Sequence, residues 1–431
     1  MTNNKDILKA MSIFGSAHGV TMLLNLVRTK FIAIILGTTG IGINSLYFEA
    51  RELLHLLTNI SVDVSGVKII SSYYEKLREC DDETEKDVLR KKIIDEVKLL
   101  RSLVLMLACL GAMVSIVFSL PLSYLTFQDS NHVLGFLLLA PSVALTTLVC
   151  GEMAILKAMR KIKTIAWVSI INVILMILTT IPIYYVMGLK GVLPVIFVSF
   201  LVQYAVTSYY SFRLIKPEIT VGMDTIRRGL PIVKLGLAIA SAGVVARVSQ
   251  LMIRSFLNSE GGFTTVGLYS AGYTILLMLS SFVFSSILSD YYPRLAGAFS
   301  DVKERRIIVH KQIKMSLLVI TPLIIVFVLA LPMLVPILLS HSFDEMIPMV
   351  QVAAFSIIFY SFTQPYGVVP VAAGDSKLHF ILEAYGHILI MICVCVGYVH
   401  YGLIGAGMGI LGANIIDSII LYFIITRKYD V

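Results

Sequence analysis

Charged residues are scarce in this sequence: Asp, Glu, Lys and Arg make up 14% of 431 residues, against about a quarter in typical soluble domains. Hydrophobic residues make up 57%, and the mean hydropathy is +0.87. This balance is far from that of a soluble globular domain. The composition therefore predicts an all-α polytopic membrane protein.

Cysteines are also few, and their positions argue against several chemistries. The five are Cys80, Cys109, Cys150, Cys393 and Cys395. They form neither a disulfide framework nor a spaced zinc set. The sequence also lacks a phosphate-binding P-loop, a dinucleotide glycine fingerprint and a metalloprotease helix. We therefore expect that the protein is not an enzyme, has no catalytic residue and no metal site, and uses no cofactor other than a bound Na⁺ or H⁺.

Long apolar runs recur along the whole chain. Each is long enough to cross a hydrocarbon core of about 30 Å at about 1.5 Å per residue. We count twelve spans: 10–36, 43–67, 98–120, 132–156, 164–187, 191–213, 230–257, 265–290, 312–339, 346–373, 378–400 and 403–426. The first run continues directly into a second span and has no small-residue cleavage pattern, so we expect it to be retained.

The basic residues indicate the orientation, because cytoplasmic loops are enriched in Lys and Arg. With the N-terminus inside, the inner loops contain most of them, including Lys86, Arg90, Lys91, Lys92, Lys157, Arg160, Lys161, Arg227, Arg228, Arg305 and Arg306. Lys190 is the clearest exception. We therefore expect both termini to be cytoplasmic, and the net charge of +8 reflects topology rather than nucleic-acid binding.

Two short motifs recur at a spacing of about half the chain. Gly188, Leu189 and Gly191 are matched 214 positions later by Gly402, Leu403 and Gly405, and Gly42 and Ser45 are matched 225 positions later by Gly267 and Ser270. Six spans separate equivalent positions, so the halves have the same topology. The sequence thus predicts two six-helix lobes, 1–217 and 218–431, related by a pseudo-two-fold axis along the membrane normal.

Three spans carry polar residues on one helical face. The residues are Glu49, Glu52, His55, Asn59 and Asp63 on the second span, with Arg51 beside them; His18, Asn25 and Arg28 on the first; and Arg247, Gln250 and Arg254 on the seventh. Ionised groups are costly within a bilayer and face a bundle interior or water. We interpret the three faces as parts of one aqueous cavity.

A structural interpretation is open beside this one. Glu49 and Arg51, or Glu52 and His55, can neutralise each other as contacts between helices. Arg28 and Arg247 have no acidic residue one turn away on their own helix, which favours a functional role for them. Lys30 lies near the outer end of its span, where its side chain can extend to the interface.

A second polar group lies in the last two spans. Glu383 and His387 are one turn apart, and Asn414 and Asp417 are three residues apart. Carboxylates beside His or Asn can carry a proton or coordinate a sodium ion. We predict that these four bind a coupling ion, with Asp63 as a further candidate. Structural hydrogen bonds are the alternative.

The chain resembles a known family. The resemblance rests on an opening helix that ends in "VRTKFIAIILGTTGIG", a second helix that leads to "SGVKIISSYYEK", "GLKG" before the sixth span, and twelve spans in two lobes. These features are similar to those of the Wzx-type O-antigen and polysaccharide flippases of the multidrug/oligosaccharidyl-lipid/polysaccharide exporter superfamily. The resemblance implies transfer of undecaprenyl-pyrophosphate-linked oligosaccharide to the outer leaflet of a bacterial inner membrane by alternating access.

The resemblance also implies roles for individual residues. Related lipid II flippases carry arginines in a cationic central cavity, so Arg28, Arg51 and Arg247, with Arg254, would bind the diphosphate. The other cavity residues would contact the glycan: His18, Asn25, Glu49, Glu52, His55, Asn59 and Gln250. The acidic second span departs from a uniformly cationic cavity. Membrane lipid, a polysaccharide polymerase and a chain-length regulator are the implied partners in lipopolysaccharide or capsule synthesis.

Three other functions are open. A multidrug cation antiporter of the same superfamily would have an acidic, aromatic cavity and no need for Arg28 and Arg247. A lipid II flippase would be expected to carry two further C-terminal helices. A membrane polysaccharide polymerase or ligase normally has a large outer domain or loop, whereas the longest outer connection expected here, 121–131, is short.

Overall fold

The computed structural model describes the backbone of residues 4–431 and the side chains of residues 18–431 except at 238, 239, 242, 282, 283 and 285–289. The described chain is all-helical and contains no strand. Its α-helices are α1 (Asn4–Asn59), α2 (Val62–Glu79), α3 (Glu83–Val117), α4 (Ser119–Phe127), α5 (Val133–Ala158), α6 (Ile162–Met187), α7 (Val192–Leu214), α8 (Met223–Gly297), α9 (Val302–Leu338), α10 (Ile347–Ala354), α11 (Ser356–Ala372) and α12 (Ser376–Tyr429). Short 3₁₀ helices occupy Gly188–Gly191 and His341–Met346.

Glycines with positive φ interrupt the longest helices. Gly37 (φ 61°) breaks α1, Gly262 (φ 71°) breaks α8, and Gly402 (φ 59°) breaks α12, while Gly188 (φ 52°) ends α6. Only glycine adopts this conformation without a steric penalty. Each break falls between two spans predicted from the sequence, so these apolar helices reverse or bend where the glycines permit it.

The protein is a multi-pass membrane protein. Seven helical segments in the described chain are long and apolar enough to cross a membrane. An eighth is counted if His341–Ala354 and Ser356–Ala372, which meet at 44°, form one span. Four of the seven segments contain one of the glycine breaks. The arrangement of exactly twelve spans stays a prediction.

One predicted span is interrupted at an unexpected point. The sequence predicts a continuous helix over 43–67, but α1 ends at Asn59 and α2 begins at Val62. Ile60 and Ser61 between them have φ of 50° and 48°. A left-handed non-glycine residue costs on the order of 1–3 kcal/mol, and for β-branched Ile60 it is a clear outlier. Neither Gly nor Pro marks the position, so composition alone gave no sign of it.

The described chain divides into two compact units. The first comprises Met1–Leu36 and Tyr47–Val244, and the second comprises Gly37–Leu46 and Val245–Val431. In the first, α2, α3 and α5 enclose an apolar core that includes Val62, Ile70, Val97, Leu100, Val104 and Ile155. In the second, α8, α9, α11 and α12 enclose another, which includes Tyr291, Val309, Tyr366, Val369, Leu421 and Ile425. The predicted lobe boundary at 217 stays a prediction.

Within the second unit, equivalent residues of the two repeats contact each other. Oγ1 of Thr39 lies 3.1 Å from Oγ1 of Thr264, 225 positions later. A Cβ added at Gly42 would lie 3.1 Å from the backbone nitrogen of Gly267, and the reverse holds at the same distance. Mutual contacts between equivalent residues are the pattern that a two-fold axis produces. The repeat detected in the sequence is therefore also present locally in the structure.

Candidate functional site

Arg51 is the most buried cation of the predicted second-span face. Its side chain lies in the first unit and is 1% exposed. Nη1 donates to Thr146 Oγ1 at 2.5 Å, and Nη2 pairs with the Glu52 carboxylate. The guanidinium carbon lies 3.9 Å from the ring centroid of Phe200 and 5.0 Å from that of Phe48. Arg51 is thus held by protein groups, among them the Glu52 carboxylate, whereas the structural interpretation from the sequence named Glu49 as its partner.

His55 lies one turn further along α1 and contacts α5. Its Nδ1 is 3.1 Å from Thr147 Oγ1, and its Nε2 is 3.7 Å from Cys150 Sγ. The imidazole is buried. This arrangement fixes both ring nitrogens on the protein, which favours a structural role over contact with a glycan.

The predicted polar face continues to the helix break. Asn59 Nδ2 donates to Asp63 Oδ1 at 2.8 Å, joining the end of α1 to the first turn of α2. Asn59 is 3% exposed, and its Oδ1 has no hydrogen-bond partner in the described part of the chain. Glu49 is also buried, two turns before His55. The second-span residues therefore form a polar strip that is buried at Glu49, Arg51, His55 and Asn59 and half-buried at Glu52 and Asp63.

The first-span residues differ in burial. His18 and Asn25 are exposed, whereas Arg28 is half-buried on α1. The Arg28 Nε is buried without a hydrogen-bond partner among the described residues. The structure therefore does not place His18 or Asn25 in a buried site. Arg28 alone of the three has a buried polar atom left to be satisfied.

Arg254 is the centre of a polar and aromatic network in the second unit. It is 4% exposed. Nε donates to Ser270 Oγ at 3.1 Å, and Nη1 donates to Gln250 Oε1 at 2.8 Å. Gln250 Nε2 in turn donates to the Tyr273 hydroxyl at 3.1 Å. The guanidinium carbon lies 6.0 Å from the ring centroids of both Tyr269 and Tyr273.

The structure brings Arg254 and Gln250 together, as the seventh-span face predicts. Arg247 is half-buried on the same helix, two turns earlier. Arg28 and Arg51 belong to the first unit, and Arg247 and Arg254 to the second. That these residues line one cavity stays a prediction.

The four predicted ion-binding residues line a single cavity. The cavity has a volume of about 210 Å³ and lies in the second unit between α11 and the two halves of α12. His387 Nε2 is 3.8 Å from Glu383 Oε2. Asn414 Nδ2 donates to the Ile410 carbonyl at 2.9 Å. In the described part of the chain, Asp417 Oδ1 is buried without a hydrogen-bond partner.

The residues that α11 contributes to this cavity were not predicted from the sequence. They include Tyr360, Thr363 and Gln364. Gln364 is 8% exposed, and its Oε1 is buried with no partner in the part of the chain that the structure describes. The motif "SFTQPYG" carried a signal, because a Gln before Pro within an apolar run is a polar residue at a helix irregularity. Gln364 therefore joins Asp417 as a second unsatisfied acceptor in the cavity.

The aromatic partners of the arginines were also missed. Tyr269 and Tyr273 are one turn apart and stack with ring centroids 5.8 Å apart. Their spacing in "LYSAGYT" was the available signal, because residues i and i+4 share a helical face. Phe200 lies on α7, and nothing in the sequence connects it to Arg51.

Comparisons with known proteins bear directly on this fold. The chain resembles an inward-facing multidrug resistance MATE family transporter of the MOP superfamily, with 12% identity, a TM-score of 0.75 and coverage of 95% of this chain and 94% of that chain. It also resembles the lipid II flippase MurJ in an inward closed conformation, with 15% identity, a TM-score of 0.70 and coverage of 96% and 87%. A MOP superfamily transporter from Pyrococcus furiosus matches with 13% identity, a TM-score of 0.60 and coverage of 98% and 94%.

These TM-scores establish a shared fold, although the identities are only 12–15%. No curated protein sequence matches at a significant level. The relatives are transporters and flippases rather than enzymes, and the resemblance predicted from the sequence is confirmed. A family model described as polysaccharide biosynthesis protein matches residues 7–299. Because this match covers more than half of the sequence, the chain belongs to the polysaccharide biosynthesis protein family.

Proposed function

We propose that this protein is a flippase that moves an undecaprenyl-pyrophosphate-linked oligosaccharide, an O-antigen or capsular repeat unit, from the inner to the outer leaflet. Family membership supports a role in polysaccharide synthesis. The transporter fold supports movement across the membrane by alternating access, and one neighbour with this fold is named as a lipid II flippase. The polyprenyl tail stays in lipid while the diphosphate and glycan pass through the protein.

The proposal includes a specific topology. Counting the two sides of each glycine break as separate crossings, together with the bent pair, gives twelve spans. They form two six-helix lobes, 1–217 and 218–431, related by an axis along the membrane normal. The protein lies in the bacterial inner membrane with both termini in the cytoplasm.

The buried, unpartnered Nε of Arg28 is the observation that carries the proposal. It lies within an apolar helix, and its Nε is buried without a hydrogen-bond partner among the described residues. A buried donor left unsatisfied costs about 1–3 kcal/mol, so its persistence calls for a ligand or water. A diphosphate fits best, because the planar guanidinium makes paired charge-assisted hydrogen bonds with phosphate oxygens and stays ionised.

The other arginines have graded roles in this proposal. Arg247 and Arg254 lie on α8 in the second unit with the tyrosines and Gln250, and would bind phosphate oxygens there. Arg51 already forms an ion pair with Glu52, so it would shape the cavity rather than bind the diphosphate directly. Glu49, Glu52 and Gln250 would supply polar contacts to the glycan, whereas the contacts of His55 with Thr147 and Cys150 favour a structural role.

The decisive experiment compares Arg28→Ala with Lys30→Ala in cells that lack the chromosomal gene. Lys30 is a matched control, since it is a half-buried cation two residues away on the same helix. Arg28→Ala should abolish export of lipid-linked glycan at normal protein level, and Arg28→Lys should restore part of it. Lys30→Ala should be tolerated. Wild-type surface polysaccharide in Arg28→Ala cells would reject the diphosphate assignment.

The coupling ion and the partners complete the proposal. Glu383, His387, Asn414 and Asp417 would bind H⁺ or Na⁺ and bias the alternating states, because a ligand shifts an equilibrium only through differential affinity. A polysaccharide polymerase and a chain-length regulator would receive the exported unit.

A multidrug cation antiporter is the second candidate, and one observation favours it. The cavity of the second unit has an acidic and aromatic lining, with Glu383, Asp417 and Tyr360, which is the chemistry that attracts organic cations. An antiporter would confer resistance to cationic dyes and would not require Arg28. Dye efflux that survives Arg28→Ala but fails in Asp417→Asn would favour this function.

A further inference from the structure

The break between α1 and α2 exposes backbone acceptors inside the first unit. Ile60 N closes the last turn of α1 on the Leu56 carbonyl at 3.2 Å. Val64 N and Ser65 N both donate to the Ser61 carbonyl, at 3.1 and 3.2 Å. In the described chain, the α1 carbonyls after that of Leu56 therefore accept no backbone hydrogen bond from a following helical turn. The end of α1 carries partial negative charge, which attracts a cation.

A buried amide at the same point has an unsatisfied oxygen. Asn59 Nδ2 donates to Asp63 Oδ1 at 2.8 Å, and Asn59 Oδ1 is buried with no partner in the region that the structure describes. The nitrogen and oxygen of an amide are assigned from such contacts. With the amide flipped, two oxygens would face each other at 2.8 Å. In either orientation the amide oxygen of Asn59 lacks a donor in the described part of the chain, and a cation would satisfy it.

Helix α8 covers the break. A Cβ added at Gly236 would meet the carbonyl oxygen of Ile60 and lie 3.2 Å from the carbonyl carbon and oxygen of Ser61. Non-helical backbone at membrane depth is stable only where protein or a water-filled cavity surrounds it. The absence of a side chain at Gly236 therefore lets α8 approach the break and shield it from lipid.

The charges around the break favour a monovalent ion. Asp63 supplies one carboxylate, and Arg51 and Glu52, which lie earlier on the predicted face, pair with each other. All the available donors are oxygens: the Asp63 carboxylate, the Asn59 amide and the carbonyls at the end of α1. Interrupted membrane helices coordinate Na⁺ with such carbonyls.

We propose that the α1–α2 break, with Asp63 and Asn59, is a binding site for Na⁺. The site lies in the first unit and shares no residue with the cavity lined by Glu383 and Asp417. It does not depend on the identity of the transported lipid. Bound Na⁺ neutralises Asp63 and holds the end of α1 to the start of α2.

The first test measures ²²Na⁺ binding to the purified full-length protein in nanodiscs, with choline as the replacement cation. The background carries Glu383→Gln and Asp417→Asn, so that binding at the other cavity does not contribute. Asp63→Asn and Asn59→Leu should each weaken binding at least tenfold, and Asp63→Glu should restore part of it. Asn172→Leu is the matched control, because Asn172 is also a buried amide whose Oδ1 has no partner in the described chain.

The second test needs no variant at the site. Hydrogen exchange of the peptide 56–66 should slow in Na⁺ relative to choline in the wild-type protein, while peptides of α6 should not change. Equal ²²Na⁺ binding by Asp63→Asn and its background would overturn the proposal. So would exchange that is the same in Na⁺ and choline, or that follows pH alone, since the last result would indicate a proton at this position. Failure of the wild-type protein to support export of lipid-linked glycan, with Na⁺ binding intact, would count against the flippase function alone.

Discussion

The hydroxyl of Ser270 donates to the hydroxyl of Ser45 across 3.0 Å, and the two residues are 225 positions apart. Arg254 Nε donates to the same Ser270 oxygen. The contact between repeats thus extends directly to the candidate anion-binding arginine. Any substitution that separates the two helices at this point should disturb both packing and the position of Arg254.

Gly267→Ala is the sharpest test of this packing. A Cβ at Gly267 would overlap the backbone carbonyl oxygen of Thr38, and backbone cannot rotate away as a side chain can. Overpacking of this kind costs about 1–3 kcal/mol. We expect a lower Tm in detergent and reduced transport. Gly412→Ala is the control, because a Cβ there meets nothing within 4 Å; equal Tm values for the two variants would contradict the close packing.

Much of the fold follows from the sequence because of hydrophobicity and glycine. Apolar runs predicted spans whose ends meet near Gly37, Gly262 and Gly402, and the structure breaks the helices there. The repeat was also predictable, since Gly42 and Gly267 lie in similar short motifs in the two halves of the sequence. The interruption at Ile60 and Ser61 was not, because no residue type there disfavours a helix.

The site was predictable only along single helices. The faces containing Asn59 and Asp63, and Gln250 and Arg254, follow from helical periodicity, and the structure places each pair in contact. Contacts between distant helices are set by tertiary packing. The partner of Arg51 on α7, Phe200, could therefore not be read from the sequence.

The ion pair of Arg101 and Glu152 anchors the segment after α7. Arg101 Nε and Nη2 each lie 2.9 Å from a Glu152 oxygen, and Nη1 donates to the carbonyls of Ile215 and Lys216 at 3.0 Å. Both charged side chains are at least nine-tenths buried. In the second half of the chain, Arg305 donates to the Tyr429 carbonyl at the end of α12, so each half fixes the end of its last helix with an arginine.

Glu152→Ala should therefore be strongly destabilising. Removing one partner of a buried ion pair typically costs 3–5 kcal/mol, since it leaves an uncompensated charge. Thermal unfolding in detergent measures the loss. Asp87→Ala is the control, because Asp87 pairs with Arg90 on the surface at 2.9 Å, and such pairs contribute about 0–1 kcal/mol. Similar Tm values for both variants would show that the buried pair does not anchor this segment.

A pH-sensitive contact holds the C-terminal segment. Lys428 Nζ lies 2.5 Å from Asp375 Oδ2, and hydrogen bonds from Lys428, the Leu378 backbone and Tyr429 lower the pKa of Asp375 to about 2. Because the folded pKa lies below the unfolded value of about 3.9, the stabilisation is present above about pH 4. It is lost as the pH falls toward 2.

Asp375→Asn should remove this contact at neutral pH. Amide exchange of the peptide 425–431 should be faster in the variant than in the wild type at pH 7. The difference should shrink as the pH approaches 2, where the wild-type carboxyl is itself protonated. Asp344→Asn is the control, because Asp344 is distant in sequence from the C-terminal segment and pairs with His341 instead. Equal exchange of wild type and Asp375→Asn at pH 7 would remove Asp375 as the anchor.

The proposed orientation can be tested with reporter fusions. Basic residues are concentrated in the proposed inner loops, so a reporter fused after Val431 should stay cytoplasmic. A reporter inserted near Asp129, in the turn between α4 and α5, should be exported. A phosphatase and a fluorescent protein at each position give opposite readouts. An exported reporter after Val431 would break the twelve-span topology.

The proposed flippase either equilibrates its lipid passively or uses an ion gradient. Glu383, His387, Asn414 and Asp417 line one cavity, in which Asp417 and Gln364 have buried oxygens without partners among the described residues. An ion bound there would satisfy these oxygens and offset the repulsion between Glu383 and Asp417. Its differential affinity for two packings of the helices would drive transport.

Glu383→Gln with Asp417→Asn should therefore abolish stimulation of transport by an imposed proton or sodium gradient in proteoliposomes, while the lipid-linked substrate still binds. The amides keep the size and hydrogen-bonding capacity of the carboxyls but remove the charge that pairs with an ion. Glu260→Gln is the control, because Glu260 is an exposed carboxylate of the same unit. If gradient-driven transport survives the double substitution, these residues are structural. The coupling ion would then bind elsewhere, with Asp63 at the α1–α2 break as the next candidate, and Asp63→Asn should eliminate the remaining stimulation.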